Sequence, residues 1–188
     1  IPTKGIYLIP FFGGVAVGEQ ARTHWQEVYI AMMGPVFGLL MSFAALVAFW
    51  VTDIAVLGVV ASFGALINLF NLLPIYPLDG GRVLKAVTFS ASPRWSTWVL
   101  IALSAGGVAL TASVGLYLLS FFLVFGAIDL FGTRAQILTS QVLPMDRYGM
   151  GVSFAWYTLV IAAFVIIIVV MAATGVPGTE VPLIILSD

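Results

Sequence analysis

The amino-acid sequence predicts an all-α polytopic membrane protein with about five transmembrane helices, preceded by a short β-hairpin-like segment at the N-terminus. Of its 188 residues, 62% are hydrophobic and only 8% are charged, whereas soluble domains average about 25% charged residues. Apolar stretches longer than the roughly 18 residues that indicate a membrane span recur between residues 28 and 174. A transmembrane barrel would instead show short segments of alternating polarity. The protein is therefore expected in the cell membrane, as a multi-pass protein in contact with the lipid bilayer.

Three regions follow one another along the chain. Residues 1–27 form the predicted hairpin-like, membrane-associated segment, residues 28–174 the transmembrane helical core, and residues 175–188 an extracytoplasmic tail. Within the core, spans are predicted at residues 28–52, 54–73, 96–111, 115–131 and 152–174. The third and fourth spans are divided at the short small-residue stretch TASVG.

The basic residues predict how the chain is oriented in the membrane. All of them lie on one side of a five-span arrangement: Lys4, Arg22, Arg82, Lys85, Arg94, Arg134 and Arg147. Because Lys and Arg are enriched in cytoplasmic loops, the start of the chain and Asp79 are expected on the cytoplasmic side. These residues form no basic stripe, so nucleic acid is not expected as a partner. The sequence has no cysteine, which excludes disulfides and thiolate metal sites.

A polar segment, NLLPIYPLDGGR at residues 71–82, follows the second predicted span. Asn68 and Asn71 lie one turn apart within apolar sequence and share one helix face, and two prolines then break the helix. Broken backbone at membrane depth is tolerated only when it is buried in protein or lines a wet cavity. Asp79 then has two readings. Its carboxylate is a suitable zinc ligand, or it caps a helix that starts near Gly80, with the asparagines as interhelical hydrogen-bonding groups.

Three motifs resemble the site-2 protease family of intramembrane zinc metalloproteases. They follow one another as in that family: the hairpin, the Gly-Pro helix and then the segment that carries Asp79. Residues 71–81 resemble its Asn-x-x-Pro and Leu-Asp-Gly-Gly signature. The stretch IPFFGGVAVGE resembles the family's Gly-Gly hairpin, and EVYIAMMGPVFGLLMS resembles the Gly-Pro helix that follows it. The resemblance covers about residues 6–90, and the rest of the chain matches only as generic spans.

The resemblance implies a chemistry for particular residues. Family members bind Zn²⁺ through two histidines of a His-Glu-x-x-His helix and the aspartate of Leu-Asp-Gly-Gly, and Asp79 resembles that third ligand. Asn71 resembles the asparagine that holds the substrate or the oxyanion, so it is a candidate catalytic and substrate-binding residue. Gly13 and Gly14 resemble the turn of a hairpin that adds an edge strand to an unwound substrate. The implied partner is a transmembrane protein substrate.

The sequence departs from the family at the zinc motif. It contains a single histidine, His24, which we expect to be an interfacial residue beside Trp25 and not a ligand, while Glu27 is expected to face headgroups or the hairpin. The chain opens without a methionine at the hairpin, so the motif is expected upstream of Ile1, and this chain alone is expected to be inactive. The alternatives are a non-catalytic pseudoprotease and a small transporter-like bundle with broken helices.

Overall fold

The computed structural model describes residues 3–9, 13–18, 21–113, 115–139 and 142–187. Their backbone is mainly helical, with one pair of strands at the N-terminus. The elements are β1 (Thr3–Ile9), β2 (Gly13–Gly18), α1 (His24–Thr52), α2 (Ala55–Asn71), α3 (Asp79–Ala91), α4 (Pro93–Ser113), α5 (Tyr117–Thr139), α6 (Arg147–Ala172) and α7 (Val181–Ser187).

Each of the five predicted spans falls on a helix, but the helices differ in length. Among the described residues, α1, α4 and α6 are long and apolar enough to cross a membrane. The 17 residues of α2 extend about 26 Å, less than the roughly 30 Å of a hydrocarbon core. The helix α5 has 23 residues, and the stretch of it that the structure describes with its side chains, Tyr117–Ile128, is apolar. The chain is thus a membrane protein with three candidate spanning helices, and the count of five is not confirmed.

The central bundle consists of α1, α2 and α6. Fully buried side chains at its centre include Met32 of α1, Ala61 and Ala65 of α2, and Phe164 and Ile168 of α6. The alanines on α2 let the neighbouring helices approach closely, which is how helices associate where lipid removes most of the hydrophobic driving force. This bundle forms the frame against which the remaining helices are placed.

The helix α1 begins with reciprocal hydrogen bonds at its N-terminus. The hydroxyl of Thr23 accepts from the backbone N–H of Gln26 at 3.1 Å, and the side-chain oxygen of Gln26 accepts from the N–H of Arg22 at 2.9 Å. This pattern is close to a capping box and satisfies N–H groups that a helix leaves unpaired. The start of α1 is therefore well defined, which matters because charged groups lie in its first turn.

The helix α3 runs antiparallel along α1, and α4 and α5 pack beside it as a helical pair. The pairing of α4 with α5 includes a buried hydrogen bond of 2.7 Å between the hydroxyls of Thr111 and Ser120. Gly115 lies in the connection between them with φ of +80°, a conformation that glycine adopts without strain.

The C-terminal residues fold back onto the bundle. Thr179 is fully buried, its carbonyl accepts from the hydroxyl of Ser62 on α2 at 3.0 Å, and its own hydroxyl donates to the carbonyl of Met171 at 2.9 Å. The predicted tail thus contains the short helix α7 and is attached to both α2 and α6. Its extracytoplasmic location stays a prediction.

The N-terminal strands β1 and β2 pair antiparallel, with Leu8 opposite Gly14 and Ile9 opposite Gly13. Gly13 and Gly14 therefore begin β2, whereas the sequence predicts them in the turn itself. The residues between the two strands, 10–12, lie outside the described part of the chain.

Candidate functional site

The segment that joins α2 to α3, residues 72–78, is held in place by the helices around it. The hydroxyl of Tyr157 on α6 donates to the carbonyl of Leu72, which ends α2. The hydroxyl of Ser104 on α4 donates to the carbonyl of Tyr76 at 3.3 Å. Within the segment, the N–H of Leu78 donates to the carbonyl of Ile75 at 2.9 Å. The broken helix therefore leads into a backbone that is bound to protein, as membrane depth requires.

Gly80 and Gly81 allow this segment to lie directly against the start of α3. A Cβ on Gly80 would collide with the carbonyl of Leu72, and one on Gly81 would collide with the carbonyl of Ile75. Both glycines lie in the first turn of α3, so they are needed for close backbone approach and not for an unusual dihedral angle. The Leu-Asp-Gly-Gly sequence is thus explained by the packing of one short segment.

Two further glycines, on α4 and α5, receive side chains of the same segment. A Cβ on Gly107 would lie 2.7 Å from the Ile75 side chain, and one on Gly126 would collide with the ring of Pro77. These contacts attach the α4–α5 pair to the 72–78 segment. The 72–78 segment therefore contacts several helices, and more than one of these contacts fixes its position.

Asp79 is the first residue of α3 and faces α1. Its Oδ2 lies 3.3 Å from the position that a Cβ on Gly34 would occupy, and its Oδ1 lies 3.8 Å from Nη1 of Arg82. The first turn of a helix favours a carboxylate because of the helix dipole. Burial raises the pKa of the Asp79 carboxyl above its ordinary value, and the Arg82 guanidinium opposes this rise.

The two asparagines have different surroundings. The side-chain amide of Asn68 donates to the carbonyl of Gly64 at 2.8 Å, and its head lies where a Cβ on Gly38 would be. Asn68 is therefore packed between α1 and α2, but this hydrogen bond lies within α2, so its role as an interhelical hydrogen-bonding group stays a prediction. Asn71 ends α2 and is only half-buried, so Asn71 and Asp79 flank the 72–78 segment.

A stripe on α1 faces this whole region, and the sequence analysis missed it. Gly34 contacts Asp79, Gly38 contacts Asn68 one turn later, and Ser42 lies against Gly64 after another turn. Small residues at a spacing of four are the common signal for close helix packing in membranes. The spacing of Gly34 and Gly38 would have indicated the face of α1 that meets the polar residues.

The contact with Gly34 also places Asp79 along α1. Gly34 lies ten residues after His24, the start of α1, which corresponds to about 15 Å along the helix axis. Asp79 therefore lies level with a point about a third of the way along this helix of 29 residues, and its place near the membrane edge stays a prediction. Which side of the membrane this end of α1 faces stays a prediction.

A second polar cluster lies at the start of α1. Nδ1 of His24 is 3.2 Å from one carboxylate oxygen of Glu27, and Nζ of Lys85 on α3 is 3.0 Å from the other. His24 is buried and Glu27 nearly so. Glu27 thus pairs with both His24 and Lys85, contacts that the sequence analysis did not predict, while the expected places of Glu27 at the headgroups or hairpin and of His24 at the membrane interface stay predictions.

The described residues alone do not form a zinc site. No group of three or more His, Asp, Glu or Cys side chains is close enough to hold a metal in the part of the chain that the structure describes. Structural and catalytic zinc sites need at least three protein ligands. Asp79 contributes one carboxylate, and His24 is engaged at the second cluster with Glu27. The residues at hand therefore do not fit a complete zinc site.

Comparison with known proteins gives one family match and several relatives. Residues 51–114 match Peptidase family M50, a range that extends from the end of α1 to the end of α4. "Zinc metalloprotease MJ0392" of Methanocaldococcus jannaschii is 31% identical over 142 residues, which are 68% of this chain and 41% of that protein. "Putative zinc metalloprotease sll0528" of Synechocystis sp. is 30% identical over 111 residues, 56% of this chain and 29% of that protein.

A third relative matches a shorter stretch at higher identity. "Putative zinc metalloprotease Rip3" of Mycobacterium tuberculosis is 43% identical over 84 residues, which are 40% of this chain and 21% of that protein. No solved structure matches the chain significantly. The chain thus spans less than half the length of each of these relatives.

Proposed function

Because the chain belongs to the site-2 protease family of intramembrane zinc metalloproteases, we propose that it is part of an enzyme that hydrolyses peptide bonds within transmembrane protein substrates. The observation that carries this proposal is the placement of Asp79. Its carboxylate follows a broken helix, lies against Gly34 and is preceded by a segment that hydrogen-bonds to α4 and α6, which supports a role as a pre-organised ligand.

Zinc is the metal that this proposal needs, and Asp79 is the ligand that this chain offers. The names of the relatives describe zinc metalloproteases, which supports the metal. The described residues supply no three-ligand group, so the proposal needs further ligands, for which the His-Glu-x-x-His motif of the family is the candidate. Reading the native gene for a His-Glu-x-x-His motif is the quickest check, and a gene without one would contradict the enzymatic proposal.

Asn71 and the strand pair have proposed roles in holding the substrate. Asn71 ends α2 beside the 72–78 segment and is half-buried, so its amide is accessible to a substrate backbone. The strands β1 and β2 form a two-stranded sheet, which leaves a strand edge on which unwound substrate can add by β-augmentation. Gly13 and Gly14, at the start of β2, would let the substrate backbone approach without side-chain obstruction.

A five-crossing topology is the arrangement that we propose for this site. In it, α2 and α5 cross the membrane together with α1, α4 and α6, and the shorter α2 ends at the polar segment. All seven basic residues then lie on the cytoplasmic side. Single cysteines introduced into this cysteine-free chain at Lys4, Arg94 and Glu180 would test it, since only the first two should be labelled by a thiol reagent from the cytoplasm.

The role of Asp79 can be tested in the full-length protein by Asp79→Asn, with Glu180→Gln as the matched control on an exposed residue. We expect Asp79→Asn to lose most of the bound zinc and to lower cleavage of a transmembrane reporter at least about a hundredfold, because even groups that only orient metal ligands are worth 10–100-fold. The control should keep both. Wild-type zinc content and cleavage in Asp79→Asn would remove Asp79 from the site.

The alternative is a non-catalytic relative that binds membrane helices without cutting them. The described residues contain no group of three metal-ligating side chains, and the Asp79 carboxylate lies 3.8 Å from the Arg82 guanidinium, which favours this alternative in one respect. The discriminating measurement is zinc content of the full-length wild-type protein. A protein that binds transmembrane segments but no zinc would support the pseudoprotease.

A further inference from the structure

The cluster of His24, Glu27 and Lys85 is built like a fixed joint between α1 and α3. Glu27 uses both carboxylate oxygens, one towards Lys85 at 3.0 Å and the other towards His24 at 3.2 Å. The side chains are 10%, 17% and 16% exposed for His24, Glu27 and Lys85. The Lys85 ammonium also lies 5.9 Å from the centre of the Tyr76 ring, within the range of a cation–π contact.

None of the proposed catalytic roles involves this cluster, yet removing its charged groups from water costs free energy. An ion pair removed from water stabilises a fold only when its geometry is good and its remaining hydrogen bonds are satisfied. Such pairs are best attested as devices that select one register of packing over its neighbours. Glu27 and Lys85 are 58 residues apart in sequence, so their contact constrains how two separate helices lie against each other.

The cluster and Asp79 lie on the same α1–α3 interface. Along α1, Glu27 precedes Gly34 by seven residues, and along α3, Lys85 follows Asp79 by six. At about 1.5 Å per residue these separations are about 10.5 Å and 9 Å, so the two contacts lie nearly level on antiparallel helices. A slip of α3 by one turn, about 5.4 Å, would move Asp79 away from Gly34, either towards Ile30 or towards Gly38, against which the Asn68 side chain already lies.

The same cluster reaches the segment before Asp79. Tyr76 belongs to residues 72–78, and its ring lies beside the Lys85 ammonium while its carbonyl accepts from Ser104. Lys85 therefore contacts both α1, through Glu27, and the segment that delivers Asp79. Lys85 thus connects α1 with the 72–78 segment, and the relative position of these two parts determines where the Asp79 carboxylate lies.

We propose that Glu27 and Lys85 are positioning residues of the protease site: their ion pair, shared with His24, fixes α3 along α1 and so holds the Asp79 carboxylate against Gly34. This proposal rests on the proposed function only for its effect on cleavage. The geometric part concerns the register of two helices and can be measured in a protein that cuts nothing.

The register is measured by cross-linking Gly34→Cys to Asp79→Cys in the full-length protein, in a background where any other cysteines are replaced. The two positions lie close together, because Oδ2 of Asp79 lies 3.3 Å from the Cβ position of residue 34, and the rate of disulfide formation reports their separation, since a disulfide needs Cβ atoms about 3.5–4.5 Å apart. Copper phenanthroline should oxidise this pair rapidly. Adding Lys85→Met should slow the reaction at least fivefold, whereas Arg94→Met, on an exposed residue of α4, should not.

Rescue distinguishes positioning from general loss of folding. Lys85→Arg should keep the fast cross-link, and exchanging the charges, Glu27→Lys with Lys85→Glu, should restore it in part. Restoration is partial because a cation in the first turn of α1 opposes the helix dipole. An unchanged cross-linking rate in Lys85→Met, or no recovery in either rescue, would overturn the proposal.

Cleavage kinetics give the second readout, with native Asp79 present. In protein that remains folded, Lys85→Met should lower kcat about tenfold and leave KM for a transmembrane reporter within twofold, and Lys85→Arg should recover most of kcat. A rise in KM with unchanged kcat would contradict positioning. If cross-linking responds as expected while the wild type cleaves nothing, the proposed function fails and the register role of Glu27 and Lys85 stands.

Discussion

Two carboxylates lie on the α1–α3 interface, and their surroundings are opposite. Glu27 has a partner on each oxygen, Lys85 at 3.0 Å and His24 at 3.2 Å. Asp79 has one cation at 3.8 Å and is 29% exposed, against 17% for Glu27. Each oxygen of Glu27 already has a close partner, whereas the Oδ2 of Asp79 faces α1 and keeps acceptor capacity for a ligand. Glu27 is therefore suited to holding two helices together and Asp79 to binding a ligand, although both residues lie at the interface between α1 and α3.

The largest expected effect concerns stability, and it should fall on Glu27. Glu27→Gln leaves the buried Lys85 ammonium without a carboxylate, so we expect the free energy of unfolding to drop by about 3 kcal/mol. Asp79→Asn removes a weak, partly exposed pair and should change it by less than about 1 kcal/mol. Unfolding in mixed detergent micelles measures both. An equal loss in the two variants would remove the distinction between the carboxylates.

The next effect tests whether Asp79 depends on close backbone packing. Gly80→Ala puts a Cβ onto the carbonyl of Leu72, and the backbone must shift, so we expect a loss of about 2 kcal/mol in unfolding free energy. Gly106→Ala is the control, since a Cβ there meets nothing within 4 Å, and Ala in a helix should add up to about 1 kcal/mol. If both variants are neutral, the segment before Asp79 is less constrained than its contacts indicate.

How much of this comparison was predictable from the sequence depends on the distance between the residues involved. The helix break at Pro74 and Pro77, and Asp79 at its end, follow from local rules that act over a few residues. The five helical segments also follow from local hydropathy. Three of them meet the length and composition of a membrane span within the described residues, and the shortness of α2 follows from where its polar end at Asn71 begins.

The contacts between helices could not be read in this way. Glu27 and Lys85 pair across 58 residues, and their pairing depends on the rotation of two helices about their axes. Hydropathy does not specify that rotation when apolar residues surround the whole helix. The Gly34 and Gly38 spacing carried part of this information, but its partners on α2 and α3 required the structure. The missing zinc ligands are a matter of composition, since the chain has one histidine.

A smaller effect concerns the support that α6 gives to the segment. Tyr157→Phe removes the hydroxyl that donates to the carbonyl of Leu72, and we expect a loss of about 1 kcal/mol in unfolding free energy. Tyr148→Phe, on an exposed tyrosine of the same helix, should have no measurable effect. Cleavage should fall with Tyr157→Phe if the carbonyl of Leu72 helps to place Asp79. Identical stability of the two variants would show that this hydrogen bond does not hold the end of α2.

The smallest effect is expected for Arg82, the cation beside Asp79. It tests whether the Asp79 carboxylate is more weakly paired than that of Glu27. The Arg82 guanidinium is 36% exposed and 3.8 Å from the carboxylate, and exposed pairs of this kind contribute little because solvent screens them. Arg82→Met should therefore change the unfolding free energy by less than about 0.5 kcal/mol, whereas Lys85→Met, one turn further along α3, should cost about 3 kcal/mol. Comparable losses from the two substitutions would mean that Asp79 is as fully paired as Glu27. Its carboxylate would then be no better suited than that of Glu27 to bind a metal.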